Sequence, residues 1–181
     1  ISANMVYTIA EIAQAHNGRL DLAHSYVRAL SETGVDAVKF QVHIAEAESS
    51  KYEPFRVKFT SQDPTRFDYW KRMEFSLEQW KELKVHCEEA GVEFMASPFS
   101  NAAVDLLEKL DVKRYKIGSG EVNNFLLLEK LINTKKPLII SSGLSSFSEL
   151  DNSVKYLQDR NADFSILQCT SQYPTHPADY G

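Results

Sequence analysis

Glycine is scarce in this chain, with only 7 in 181 residues, so each place where glycines cluster marks backbone that has to stay bare. Cysteine is scarcer. Cys87 and Cys169 are the only two and lack CxxC spacing, which leaves no disulfide framework and no zinc pattern and suits a reducing cytoplasm. No run of like charge occurs, no basic tract occurs, and the net charge is −5, which argues against a nucleic-acid partner. No apolar run reaches the roughly 18 residues a membrane span needs. The first residues lack the charged-then-apolar order of a secretory signal, and Ile1-Ser2-Ala3 reads as a vector-derived remnant. A Gly-x-Ser-x-Gly elbow is missing too, which leaves a serine-hydrolase reading without support. The expectation is a cytoplasmic globular chain that handles small molecules.

What is present is a strict alternation of strand-like and helix-like patterns. Apolar content is 43% and charged content 25%, ordinary for one globular domain. Strands are expected at Met5 to Ala13, Ala37 to His43, Val92 to Phe99, the stretch beginning at Arg114, Pro137 to Gly143, and Phe164 to Ser171. Helical stripes fall between them. Asp21 to Thr33 closes on Gly34, a second helix runs from its Ser76 cap to Gly91, and the others are Ala102 to Asp111, Asn124 to Thr134 and Ser146 to Arg160. Six strands alternating with five helices predict a parallel sheet, either doubly wound or a (β/α)8 barrel. Glu46 to Phe75 has no clear period. It mixes Tyr52, Phe55, Phe67, Tyr69 and Trp70 with arginines and lysines, and reads equally as a lid over a site or as a plain excursion.

The polar residues gather at the C-terminal ends of these strands. The first strand offers Glu11, then Gln14, His16 and Asn17. The second offers Lys39, Gln41 and His43, the third Ser97, the fourth Lys116, Ser119 and Glu121, the fifth Ser141 and Ser142, and the sixth Gln168, Thr170, Ser171 and Tyr173. Parallel strands end on one side, where α/β enzymes place their sites. Two lysines, several serines and bare glycine backbone suit a phosphate or a carboxylate, and Glu11 and Glu121 are the candidate acid and base. Taken singly, His43 reads as a loop residue and Ser97 as the turn before Pro98.

Six motifs then point further: AEIAQAHNG, VKFQ, SPF, YKIGSGE, IISSGL and CTSQYP, in that order. Together they resemble the sialic acid synthase (N-acetylneuraminate synthase) family, over Met5 to Pro177. The resemblance implies a (β/α)8 TIM barrel, followed in the family by a small antifreeze-like domain. It implies condensation of phosphoenolpyruvate with an N-acylated mannosamine-type hexosamine to a sialic-type acid plus phosphate. The enol carbon attacks the open-chain aldehyde, water adds at the pyruvyl C2, and phosphate leaves with C–O cleavage. A divalent metal, typically Mn2+, acts as Lewis acid on the aldehyde. Phosphoenolpyruvate contacts carry over to Lys39, Lys116, Ser119, Ser141 and Tyr173, with Ser171 beside them. Glu121 carries over as the carboxylate near the reacting carbon and Glu11 as one near the sugar, with Gln41 and His16 as second contacts. The catalytic set is Glu121, Glu11 and Lys116.

The departures are informative. The family pattern E-I-G-x-N-H-x-G here reads Glu11-Ile12-Ala13-Gln14-Ala15-His16-Asn17-Gly18, with alanine in place of both the glycine and the asparagine, and Ser171 stands where asparagine is frequent. Both changes bear on the sugar, and a modified hexose of a legionaminic, pseudaminic or spore-coat pathway is a candidate. Six strands do not close an eight-stranded barrel, so residues 1–181 read as an incomplete barrel from a longer parent, a homodimer in the family. The family's metal-binding histidines fall beyond the sixth strand. His176 has no companion at metal spacing, and no metal ligand is assigned. Two other readings stay open. Lys116 is placed as a class I aldolase would place its Schiff-base lysine, and the chain also suits a non-catalytic, anion-binding fragment.

Overall fold

The computed structural model describes residues 6–49, 61–169, 176 and 178. The chain divides into two compact units, Ile1–Val112 and Lys113–Gly181. The first contains β1 (Ile9–Ala13), α1 (Leu20–Ser31), β2 (Ala37–Val42), α2 (Ala45–Glu48), α3 (Arg66–Met73), α4 (Leu77–Glu89), β3 (Glu93–Pro98) and α5 (Asn101–Lys109). Strand β2 lies between β1 and β3 and is parallel to both. Its alternation decides what faces what. Phe40 meets Trp80 of α4 edge-on at 5.5 Å and stacks on Phe94 of β3 at 5.5 Å, so Val38, Phe40 and Val42 face the helices. Lys39 and Gln41, one residue out of phase, are left on the opposite face. Ala23, Val27, Leu83 and Cys87 complete the apolar layer under the helices, all fully buried. Burial among these groups pushes the Cys87 thiol up to about 12, so it packs as an inert small apolar group.

The second unit contains β4 (Tyr115–Ile117), a single 3-10 turn (Ser119–Glu121), α6 (Phe125–Asn133), β5 (Leu138–Ser141), α7 (Phe147–Asp159) and β6 (Phe164–Leu167). Strand β5 lies between β4 and β6, again parallel to both. Tyr115, Ile117, Leu138 and Ile140 are buried with Leu127, Leu128 and Leu131 of α6 and Leu157 of α7. Helices α3 to α7 each start where a side chain satisfies a free backbone N–H group. Ser76 and Ser146 form reciprocal capping boxes with Gln79 and Glu149, and Ser100 and Asn124 cap α5 and α6.

The six expected strands are all present, and their order alternates with helices as the sequence predicts. Two expectations change. The fourth strand is short and stops at Ile117, because Gly118 turns the chain into the 3-10 segment that carries Ser119 and Glu121. The segment expected to be irregular contains helices α2 and α3, the latter capped by Thr65, whose hydroxyl accepts the Asp68 N–H at 3.2 Å. That Thr-x-x-Asp start was the available signal, obscured by a helix of only 8 residues whose aromatics lie off one stripe. Helix α3 is fastened down: Phe67 and Met73 are buried, and Arg72 grips Asp63 through Nε–Oδ1 at 3.0 Å and Nη2–Oδ2 at 2.8 Å. The lid reading depends on residues 50–60, which lie outside the described residues.

Candidate active site

In the first unit, Glu11 and Lys39 are register partners across β1 and β2, so their side chains share a face. Lys39 Nζ lies 2.6 Å from Glu11 Oε2 and donates to Ser97 Oγ at 3.4 Å. Ser97 pairs with Gln41, not with Lys39, so the lysine reaches diagonally, one strand over and two residues toward the C-terminal end. Ser97 is only 1% exposed. Sequence reasoning leaves it between a strand-end polar group and the turn before Pro98; the structure places its hydroxyl beside Lys39.

Further along β2, Gln41 Oε1 lies 3.1 Å from His43 Nε2, and His43 Nδ1 lies 2.8 Å from Glu48 Oε1. Glu48 Oε2 accepts the Ile44 N–H at 2.8 Å. The His43 ring is held flat between Trp70 of α3 at 3.7 Å and Phe99 at 4.1 Å. His43 is therefore part of a built cluster, and the loop-residue reading is set aside.

The β1–α1 loop behaves differently from the expectation for His16. The ring is 0% exposed, packs against Phe75 at 4.6 Å, and accepts the Gly18 N–H on Nδ1 at 3.0 Å. Burial lowers its pKa from the ordinary 6.5 to about 4. It shapes the loop from within and is not presented to a ligand. Gly18, at φ +73°, passes so close to α3 that a Cβ there would sit 2.1 Å from the Arg72 carbonyl oxygen. Ala13 occupies the left-handed region at φ 50°, where the β1–β2 register slips after Glu11.

The second unit repeats the diagonal. Lys116 pairs in register with Ile139, and its Nζ donates to the Ser141 hydroxyl, two residues further along β5. Both side chains are buried, at 7% and 4% exposure. The 3-10 turn then sets Ser119 and Glu121 immediately beyond β4. Asn124 holds the glutamate: its Nδ2 donates to Glu121 Oε2 at 2.9 Å while its Oδ1 caps α6 at Leu127 N. Gly143, after β5, gives the Cys169 backbone room, since a Cβ there would lie 2.9 Å from Cys169 Cβ. Ser171 and Tyr173 lie outside the described residues. Among the described residues no group of three or more His, Cys, Asp or Glu side chains is arranged to hold a metal ion, and no step below is routed through one.

A family model described as the NeuB family matches residues 26–181. The chain belongs to the NeuB family. N-acetylneuraminate-9-phosphate synthase of Homo sapiens is 38% identical over 96% of this chain and 49% of its own length. N,N'-diacetyllegionaminic acid synthase of Campylobacter jejuni is 33% identical over 92% of this chain and 52% of its own. The crystal structure of N-acetylneuraminic acid (sialic acid) synthetase from Leptospira borgpetersenii, in complex with citrate, superposes with a TM-score of 0.82 at 27% identity. That match covers 97% of this chain and 58% of that one. The motif resemblance and the NeuB match agree, and the fold is the α/β fold of a truncated TIM barrel, with six parallel strands present. This NeuB chain spans about half the length of the curated relatives it matches.

Proposed function

We propose that this NeuB chain is the phosphoenolpyruvate-handling part of a nonulosonic acid synthase, one that joins phosphoenolpyruvate to an N-acylated mannosamine-type sugar and releases phosphate. The repeated lysine-to-serine diagonal carries the reading. Each unit sets one ammonium group on the strand face opposite its helices, near the strand's C-terminal end, with a buried serine hydroxyl beside it. Phosphoenolpyruvate has two anionic groups, and an ammonium with a hydroxyl beside it is the kind of anion contact that the motif resemblance assigns to Lys39 and to Lys116. Lys39 and Lys116, with Ser97, Ser119 and Ser141, hold those groups; Ser171 and Tyr173 join them on the strength of the motif alone.

The chemistry requires carbon C2 to become electron-poor while C3 attacks the aldehyde, and water must then lose a proton as it adds at C2. Glu121, steadied by Asn124, is the group assigned to that proton. Glu11 has two roles in this reading: it fixes the Lys39 ammonium and turns its other oxygen toward the sugar. Holding two substrates face to face supplies several kcal/mol of the rate enhancement. The matched relatives are named as synthases of different acids, so the acceptor sugar is the variable to be determined.

The test is phosphate release by the full natural chain from phosphoenolpyruvate and a divalent metal, with and without a panel of N-acylated hexosamines. Release that requires one of the sugars supports the synthase. Phosphate release with no sugar dependence, or none at all, refutes it. The burial of Lys116 favours one second reading, a Schiff-base aldolase. Borohydride trapping with a keto substrate separates the two, since the synthase forms no covalent adduct.

A further inference from the structure

We propose that His43 is the positioning residue for Gln41, and that Glu48, Trp70 and Phe99 exist at this strand end to hold the His43 ring in that task. The inference rests on the reading above only in taking Gln41 as a ligand contact.

Gln41 lies on the Lys39 face of β2, two residues further toward the strand end. A glutamine at such a place has a carboxamide free to rotate by half a turn, presenting either its oxygen or its N–H groups. Here one edge is fixed, because Gln41 Oε1 faces His43 Nε2 at 3.1 Å. The imidazole cannot swing away. Its rings of contact, Trp70 at 12° and Phe99 at 15° from parallel, leave only rotation in its own plane. The Nδ1 contact to Glu48 Oε1 at 2.8 Å blocks that rotation, and Glu48 is itself fixed by Ile44 N–H on its other oxygen. His43 and the Glu48 side chain are 8% and 7% exposed, so water competes little for these bonds.

The hydrogen-bond directions follow from the partners. Glu48 accepts on both oxygens, so His43 donates from Nδ1. Gln41 meets Nε2 with the carboxamide edge that complements the ring's tautomer. The other edge of the carboxamide is then turned outward, and Gln41 offers a ligand that one fixed edge. A hydroxyl of the substrate, which both donates and accepts, is the group such an edge holds. Nothing else in the cluster needs a histidine: two aromatic faces and a carboxylate would pack as well around a ring with one polar edge.

The test uses five forms of the full natural chain: wild type, Gln41→Leu, His43→Asn, His43→Gln and the double variant Gln41→Leu/His43→Asn. Asparagine reproduces the Nδ1 bond to Glu48 and loses the one to Gln41; glutamine reaches Gln41 and loses Glu48. Gln41→Leu identifies, by whichever KM it raises, the substrate that Gln41 holds. His43→Asn is expected to raise that same KM roughly tenfold, with the other substrate's KM within about twofold, and His43→Gln to recover most of the loss. The double variant Gln41→Leu/His43→Asn should be no worse than Gln41→Leu alone. Additive effects, or both KM values rising together, overturn the proposal in favour of a purely structural His43. Unchanged KM values in Gln41→Leu overturn it by removing Gln41 from the site. Should no form turn over, the ¹⁵N signals of the His43 ring decide. A shift of the Nε2 signal in Gln41→Leu supports the bond, and a ring indifferent to Gln41→Leu refutes it.

Discussion

His16 gives the sharpest physical test of the structure, because its protonation is tied to folding. The ring is fully buried, its Nδ1 is used as an acceptor by Gly18 N–H, and its Nε2 finds no partner among the described residues. A proton on Nδ1 would cost the Gly18 bond and leave a charge among Phe75 and Phe40. Burial accordingly lowers the folded pKa from 6.5 to about 4. The unfolded chain takes up that proton near pH 6.5, the folded chain only near pH 4. Between these values the unfolded state binds more protons, so stability falls as pH falls. The difference amounts to about 3 kcal/mol, at roughly 1.4 kcal/mol per pH unit. The comparison protein is His16→Asn, which keeps an acceptor for Gly18 and does not titrate. At pH 7.5 it should be the less stable by about 1–2 kcal/mol, from lost ring packing. Urea midpoints taken from pH 7.5 to 4.5 should show the wild type losing this lead and falling behind. Parallel loss in the two proteins would refute the reasoning, since carboxylate titration is common to both and only His16 differs.

Three further predictions concern stability and one concerns activity. Ala13→Gly should raise the melting temperature by about 2–4 °C, because φ 50° costs an alanine about 1 kcal/mol that glycine avoids; a lower melting temperature would show that the alanine methyl packs usefully. Gly18→Ala should destabilise by more than about 2 kcal/mol in chemical denaturation, since its Cβ would lie 2.1 Å from a backbone oxygen at a positive φ; a neutral result would mean that α3 moves freely off the loop. Ser153→Ala should cost about 1–2 kcal/mol, because the buried hydroxyl donates to Val122 O at 2.6 Å and ties α7 to the end of the turn that carries Glu121. Lys116→Ala should lower kcat/KM for phosphoenolpyruvate by about two orders of magnitude, the loss of a charge-assisted contact, while circular dichroism stays unchanged; a loss below about threefold would remove Lys116 from the anion site.

The sequence carried the six strands because a parallel strand buried on its helix side shows period-two alternation, and Val38, Phe40 and Val42 against Lys39 and Gln41 is a clear case. The two lysines could be assigned to strand ends for the same reason. Their partners could not. Which serine a lysine meets depends on register between strands, and a diagonal of one strand and two residues leaves no trace in either strand alone. In sequence, Ser97 therefore stays open between a strand-end group and a turn. Helix α3 was missed because a helix of 8 residues is too short for its stripe to stand out, although Thr65 and Asp68 marked its start. His43 was undervalued because its four partners come from β2, α2, α3 and the residue after β3, a convergence that only folding creates.

The departure at Ala13 has a backbone consequence that its motif does not display. In the sequence, alanine for the family's glycine bears on the sugar, because the motif lies at a strand end rich in polar groups. In the structure the position is a backbone one. Ala13 sits at φ 50° just where the β1–β2 register breaks after Glu11, and that break sets how Glu11 stands against Lys39. A methyl group there touches conformational cost before it touches any ligand. The glycine of the family pattern is then explained by the turn, and the alanine here is a strain of about 1 kcal/mol that the surrounding loop absorbs through His16, Gly18 and the Arg72 contact to the Asn17 carbonyl at 3.3 Å. If the proposed synthase reading holds, sugar specificity should be sought in side chains proposed to face the ligand, Gln41 among them, and Ala13→Gly should change stability while leaving the choice of sugar as it was.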